Sequence, residues 1–239
     1  MTSGWDDRTR LLVGDDGAAR LDAARVLVAG VGGVGGYAAE MLARTGVGHL
    51  TLVDSDSVAV SNINRQLIAT TRTVGFPKVD LFMARFKEIN PAISVTPLLE
   101  YITPDNVERL LEPGFDFVID AIDTVAPKVA LLAYCLRHRI PVVSSMGAGG
   151  RLHPERVGYF DLWETREDGL ARAVRQRLKQ ACLRRPLKTV ASTEAPRRAS
   201  VIELDERNKR SSYGTVAPVP AAFGILLASH VINKLIENA

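Results

Sequence analysis

Two patterns of apolar and polar positions take turns along the first 150 residues. Short apolar runs recur: RVLVAGV from Arg25, HLTLVD from His49, ISVTPLL from Ile93, FDFVIDAID from Phe115 and IPVVSS from Ile140. Apolar runs of this length suit strands buried on both faces of a parallel sheet. Between them lie stretches with helical spacing, at 34–45, at 77–90 (ended by Pro91) and at 127–139. TPDNVERLL predicts one more helix, with Thr103 as N-cap and Pro104 at its first position. Strand and helix in alternation predict βαβ units and an α/β fold, a Rossmann-like, doubly wound, mostly parallel sheet.

Beyond residue 150 the periodicity weakens. Residues 151–165 suggest two strands, 166–182 a basic helix, and 183–212, with Pro186 and Pro196, a loop. The apolar VAPVPAAFGILLASHVI at 216–232 carries two prolines and is short for a membrane span, so it reads as a buried helix. The residues before 25 read as one short helix on the outside of the domain or on a partner subunit.

Composition narrows this picture. A chain of 239 residues suits a single α/β domain, and 46% hydrophobic with 24% charged residues is ordinary for a globular protein. Two cysteines, Cys135 and Cys182, cannot build a disulfide framework or a four-cysteine zinc site. Two thiols and no leader-like N-terminus point to the cytoplasm. The net charge of +3 is unevenly spread. Residues 166–210 hold 13 Lys and Arg against 6 Asp and Glu, and the rest of the chain 17 against 21. A local net of +7 suits contact with a phosphate backbone, and equally a solvated loop.

The chemistry is concentrated at 26–78. The first strand runs into G-x-G-x-x-G, with Gly30, Gly32 and Gly35 at the fingerprint positions and Gly33 between them. Such a loop lets backbone amides at a helix start hold a phosphate. The second strand ends on Asp54, placed to hold ribose hydroxyls. Asn62, Arg65, Gln66 and Lys78 follow closely, with Asp56 placed to orient Asn62 or Arg65. Hydride transfer has no need of that cluster, whereas holding and cleaving a nucleoside triphosphate does. Asp123 lies just past the fourth strand, at the sheet edge where ligands bind, with Asp120 as the nearby alternative.

The GVGGVGG loop, D-x-D-x-V-x-x-S-N-x-N-R-Q, the GFPK segment and DAIDT resemble the ubiquitin-activating-enzyme-like adenylation family. RTRLLVG, YITPDNV, DAIDT-x-x-PK and MGAGG resemble, within it, the branch that dehydrates threonylcarbamoyladenosine in tRNA. The resemblance covers nearly the whole chain, read as one adenylation domain with an ATP-binding half at 1–150 and a substrate and dimer half at 151–239, where the sheet turns antiparallel. It implies ATP and Mg2+ as cofactors, a homodimer and tRNA as substrate. Arg65 would touch the phosphates, Lys78 the α-phosphate, and Asp123 the metal. Arg10, or Arg8 two residues away, would reach the γ-phosphate of the partner subunit. Arg172, Arg175 and Lys179, with Arg177 beside them, would face RNA. Gly36 departs from the small hydroxyl residue common in relatives, and the region 183–215 is shorter than the family suggests. Two other readings stay open: activation of a ubiquitin-like sulfur-carrier tail, and a nucleotide-binding partner of a sulfur-transfer system. The absent zinc-binding C-x-x-C pairs weigh against the first. Cys182 is the one plausible nucleophile, and no base is evident beside it.

Overall fold

The computed structural model describes residues 4–197, 199, 201–206 and 209–237. Seven strands form the main sheet in the order β3-β2-β1-β4-β5-β7-β6. They are β1 (Arg25–Ala29), β2 (His49–Val53), β3 (Ser94–Leu98), β4 (Phe117–Asp120), β5 (Val142–Ser145), β6 (Val157–Asp161) and β7 (Lys188–Ser192). All neighbours pair in parallel except β6 and β7. The strand order reverses between β1 and β4, which opens a crevice at the carboxyl ends of the strands. Pro97, which cannot donate to a ladder, is tolerated because β3 is an edge strand.

Alternate residues of β1 face two cores, as a sheet covered on both sides requires. Val26 and Val28 pack with α2 (Gly35–Thr45), α3 (Lys78–Ile89) and α7 (Pro218–Glu237). Leu27 and Ala29 pack with α4 (Val107–Leu111) and α5 (Val125–His138). A third cluster joins α5 to α6 (Gly169–Gln180). The long apolar α7 meets the length and composition of a membrane span. Here Phe223, Leu227 and Val231 are buried, and Gly224 lets it approach α2 so closely that a Cβ would lie 2.3 Å from the Val34 carbonyl oxygen.

Four expectations are corrected. The helix expected from Pro104 begins at Val107, because the Asn106 side-chain Oδ1 accepts the Thr103 N–H at 2.8 Å and holds the preceding residues in a turn. Residues 151–165 hold one strand, β6, flanked by two short 3-10 turns. The segment expected as a loop at 183–212 contains β7, which inserts between β5 and β6, and the hairpin strands β8 (Val201–Glu206) and β9 (Lys209–Tyr213). The polar Thr189 of β7 is buried with its hydroxyl donating to the Phe160 carbonyl, so burial there leaves no apolar pattern to read. The N-terminal helix α1 (Asp7–Ala23) is interrupted at Gly14, whose φ is 74°.

Candidate active site

The crevice between β1 and β4 opens into a cleft of about 1040 Å3. Its near wall is the glycine loop. Gly30 has φ 82°, and a Cβ on it would stand 2.9 Å from the Ala121 carbonyl oxygen. A Cβ on Gly35 would lie 1.7 Å from the Gly30 carbonyl oxygen, so packing of α2 on β1 demands glycine there. Gly32 and Gly33 differ. A Cβ on either would meet its nearest neighbour at 3.6 and 3.5 Å, an ordinary contact. The protein itself does not exclude a side chain at these two positions. Their bareness suits a phosphate brought against the loop backbone at the start of α2.

Asp54, at the end of β2, joins this loop to the next. One carboxylate oxygen accepts the Val31 N–H at 2.8 Å and the other the Asp56 N–H at 2.9 Å. Burial raises its pKa, and nearby Lys78 offsets part of that rise. Lys78 opens α3 with its side chain 4% exposed; its Nζ lies 2.7 Å from Asp56 and 3.9 Å from Asp54. Asp56 therefore holds Lys78, a correction to its expected role beside Asn62 or Arg65. The Asn62 side chain instead accepts the Ala59 N–H, and Arg65 donates to the Ser61 carbonyl and the Asn64 side chain. The Arg65 stem lies over Gly33. Gln66 is buried at the cleft, and its Oε1 has no hydrogen-bond partner among the described residues. Buried acceptors are nearly always satisfied, so this one fits a donor on a bound molecule.

At the third corner, Asp120 and Asp123 divide their work. Asp120 is completely buried: its carboxylate takes Lys128 Nζ at 2.7 Å, Ser144 Oγ at 2.5 Å and the Ile122 N–H at 3.1 Å. Lys128 also donates to the Ile122 carbonyl. This network shapes the turn after β4, and the turn presents Asp123 to the cleft with its side chain exposed. Among the described residues no three His, Cys, Asp or Glu side chains gather into a metal cage. A hard cation at Asp123 would take its remaining oxygens from phosphate and water, as Mg2+ commonly does.

The far wall was not legible in the sequence. Arg151 is buried; its guanidinium donates to the Glu194 and Glu167 carbonyls at 2.8 and 3.0 Å and approaches Asp168 at 3.3 Å. Asp168 caps α6 through the Ala171 N–H and accepts the Gly147 N–H at 2.9 Å. It thus fixes the MGAGG loop to the basic helix. Asp168 directly before that helix is an N-cap residue type that could have drawn attention to it. Tyr213 and Thr215 complete this side, and Asn64 donates to the Thr215 carbonyl at 2.9 Å.

Other expected residues lie elsewhere. Arg10 is exposed on α1, bonded to Asp6 at 2.8 Å, and neither it nor Arg8 lines the cleft of its own subunit. On α6, Arg172 and Lys179 are exposed. Arg175 turns inward, donating to the carbonyls of Leu162 and Thr165, so it leaves the expected RNA-facing set. Part of the +7 segment, at 198, 200 and 207–208, lies outside the described residues. Burial, with Asp120 adding to it, pushes the Cys135 thiol up to about 12, whereas Cys182 is exposed. Neither cysteine lines the cleft.

A bare glycine loop, a strand-end carboxylate and cations around a crossover crevice define an α/β nucleotide-binding protein. Comparison with known proteins narrows the class. Residues 7–239 match the ThiF family, and the chain belongs to it. The tRNA threonylcarbamoyladenosine dehydratase of Escherichia coli is 38% identical, with 100% of this chain and 97% of that protein covered. The enzyme of the same name from Bacillus subtilis is 38% identical over 97% and 94% of the two chains. A crystal structure of the Escherichia coli enzyme in complex with ATP matches with a TM-score of 0.88 over 97% of this chain and 93% of that one.

Proposed function

We propose that the protein is an ATP-dependent dehydratase of threonylcarbamoyladenosine in tRNA. The observation that carries this reading is the cleft itself, whose near wall suits a triphosphate and whose far wall continues into a basic helix. The threonyl carboxylate attacks the α-phosphorus of ATP and pyrophosphate leaves. A neighbouring atom of the modified base then attacks the activated carbonyl, forming a ring, losing a proton and expelling AMP. Hydroxide is a poor leaving group and AMP a good one, which is why activation precedes ring closure.

The chain's own groups have distinct tasks in this reading. The Gly32–Gly33 backbone receives phosphate, Asp54 holds the ribose and Gln66 accepts a donor from the nucleotide. Arg65 and Lys78 offset charge as pyrophosphate departs, the main contribution a protein makes to phosphoryl chemistry. Mg2+ held by Asp123 would neutralise charge on the triphosphate. No step uses an enzyme thiol, in keeping with a buried Cys135 and a Cys182 outside the cleft.

We also infer a homodimer working in the cytoplasm. Leu11 and Leu12 on α1 are 88% and 87% exposed, an apolar pair that a second copy would cover. Arg10 stands beside them on α1, and in such a dimer it would be the residue that enters the partner's cleft. The test is direct: incubate the protein with ATP and bulk tRNA, and analyse the nucleosides. The modified adenosine is expected to lose the mass of one water as AMP and pyrophosphate appear. Intact threonylcarbamoyladenosine after full incubation would reject the reading.

A further inference from the structure

Two stretches of the chain, 124–154 and 169–193, contain no Asp or Glu. They carry α5 and α6, which pack together through Leu132, Ala133, Val174 and Leu178. Both helices start at the cleft: Val125 and Pro127 line it, as do Gly169 and Leu170. Both lead away from it. At 1.5 Å per residue their far ends lie about 20 Å from the nucleotide site.

At those far ends basic side chains gather. Arg137 and Arg139 close α5, Arg184 and Arg185 follow α6, and all four are exposed. They are held in place. Arg185 donates to the Leu136 carbonyl at 3.1 Å, which ties the two helix ends together. The Arg184 guanidinium lies 5.6 Å from the centre of the Trp163 ring, and the Trp163 indole donates to the Arg185 carbonyl at 2.7 Å. Exposed Arg172 and Lys179 on α6 continue the positive charge toward the cleft. Attraction to helix C-termini accounts for Arg137 and Lys179. It does not account for Arg184 and Arg185, which lie outside any helix, nor for two long stretches free of carboxylates.

We propose that the joined ends of α5 and α6 dock the phosphate backbone of the RNA whose modified nucleoside occupies the cleft. This rests on the RNA-dehydratase reading above. A small substrate cannot span the cleft and a patch about 20 Å away, whereas a polyanion can. The charge extends beyond the basic segment at 166–210 to the end of α5, which the chain brings alongside only by folding.

The test measures binding of bulk tRNA to the full chain between roughly 50 and 200 mM salt. Each arginine that neutralises a duplex phosphate contributes about 0.9 to the log–log slope of affinity against salt. In an Arg137→Gln, Arg139→Gln, Arg184→Gln variant the slope is expected to become shallower by roughly two to three, with weaker binding. Stabilisation by ATP should stay as in the parent. The corresponding triple lysine variant keeps the charge and should keep the slope. Arg137→Gln alone gives the same reading with a drop of about 0.9, should the triple variant not fold. If the parent dehydrates tRNA and these glutamine variants keep its slope, the docking surface is overturned while the function stands, and an acidic protein becomes its better partner. A parent that binds no tRNA at any salt would overturn both.

Discussion

Lys128 and Asp120, both completely buried, meet at 2.7 Å beneath the turn that carries Asp123. Neither touches the open cleft surface where a nucleotide would lie, yet together they set the backbone path from β4 to α5. Lys128→Met would leave the Asp120 charge buried with only Ser144 and the Ile122 amide to satisfy it. The expected loss is about 3–5 kcal/mol of folding stability, typical for breaking one side of a buried pair. Urea denaturation checks this; a variant as stable as the parent would show that the pair contributes little.

Asp123→Asn tests the next step outward. The side chain is exposed and the change keeps its shape, so folding should be preserved. AMP formation should fall steeply, because an amide is a poor ligand for a hard cation. Parental AMP formation by a folded Asp123→Asn protein would remove the metal role, and the buried Asp120 could not assume it.

Much of the near wall was legible because short-range rules place it. A glycine fingerprint at a strand end, an acid at the next strand end and a lysine opening a helix each depend on a few neighbouring residues. Asp56 shows the limit: its position and that of Lys78 were readable, but their pairing across 22 residues was not. Arg151 was invisible because its partners, Asp168 and the Glu194 carbonyl just past β7, come from segments far along the chain, and Tyr213 because it packs on Gly149 and Gly150 from a later strand. Strand β7 is five residues long, ends in polar Ser192 and buries Thr189. Period and propensity could not distinguish it from a loop. Arg175 failed for a related reason: helical spacing assigned its face, but hydrogen bonds to Leu162 and Thr165 decided its direction.

The thiols provide a check on the chemistry. A Cys135→Ala, Cys182→Ser protein should keep substantial dehydratase activity, since no step forms a bond to sulfur. Cys135→Ala removes a buried group and is expected to lower stability modestly, by about 1 kcal/mol. Complete inactivity in a protein with normal thermal unfolding would revive the sulfur-transfer reading.

Glu40 should make stability sensitive to acid. Its carboxylate is 3% exposed and accepts from Arg44 at 2.7 Å and from Arg85 at 2.8 and 2.9 Å. Burial alone would raise its pKa, but the two arginines outweigh burial and hold it below the ordinary carboxylate range. A depressed pKa stabilises the fold at pH above the unfolded value, and that stability is lost as pH falls through the folded value. Glu40→Gln should therefore lower the urea midpoint near neutral pH and flatten its decline in acid. A decline identical to the parent's would assign the acid sensitivity to other groups.

The glycine loop allows folding and nucleotide binding to be separated. Gly35→Ala would force a Cβ to 1.7 Å from the Gly30 carbonyl oxygen, a backbone atom that cannot swing aside. That variant should fail to fold. Gly32→Ala and Gly33→Ala meet only ordinary contacts at 3.6 and 3.5 Å, and neither residue has a positive φ. Alanine there should leave stability unchanged or raise it by roughly 0.4–1 kcal/mol, because it restricts the unfolded chain. The added methyl would nevertheless stand where a phosphate must approach the backbone. In the parent, ATP with Mg2+ at a hundred times its dissociation constant should add about 2.7 kcal/mol, and NAD should add little. In the two alanine variants the same ATP concentration should add much less, while their unfolding without nucleotide matches or exceeds the parent's. Full ATP stabilisation in both would move the phosphates away from this loop, and stabilisation by NAD alone would return the protein to the dinucleotide-binding class.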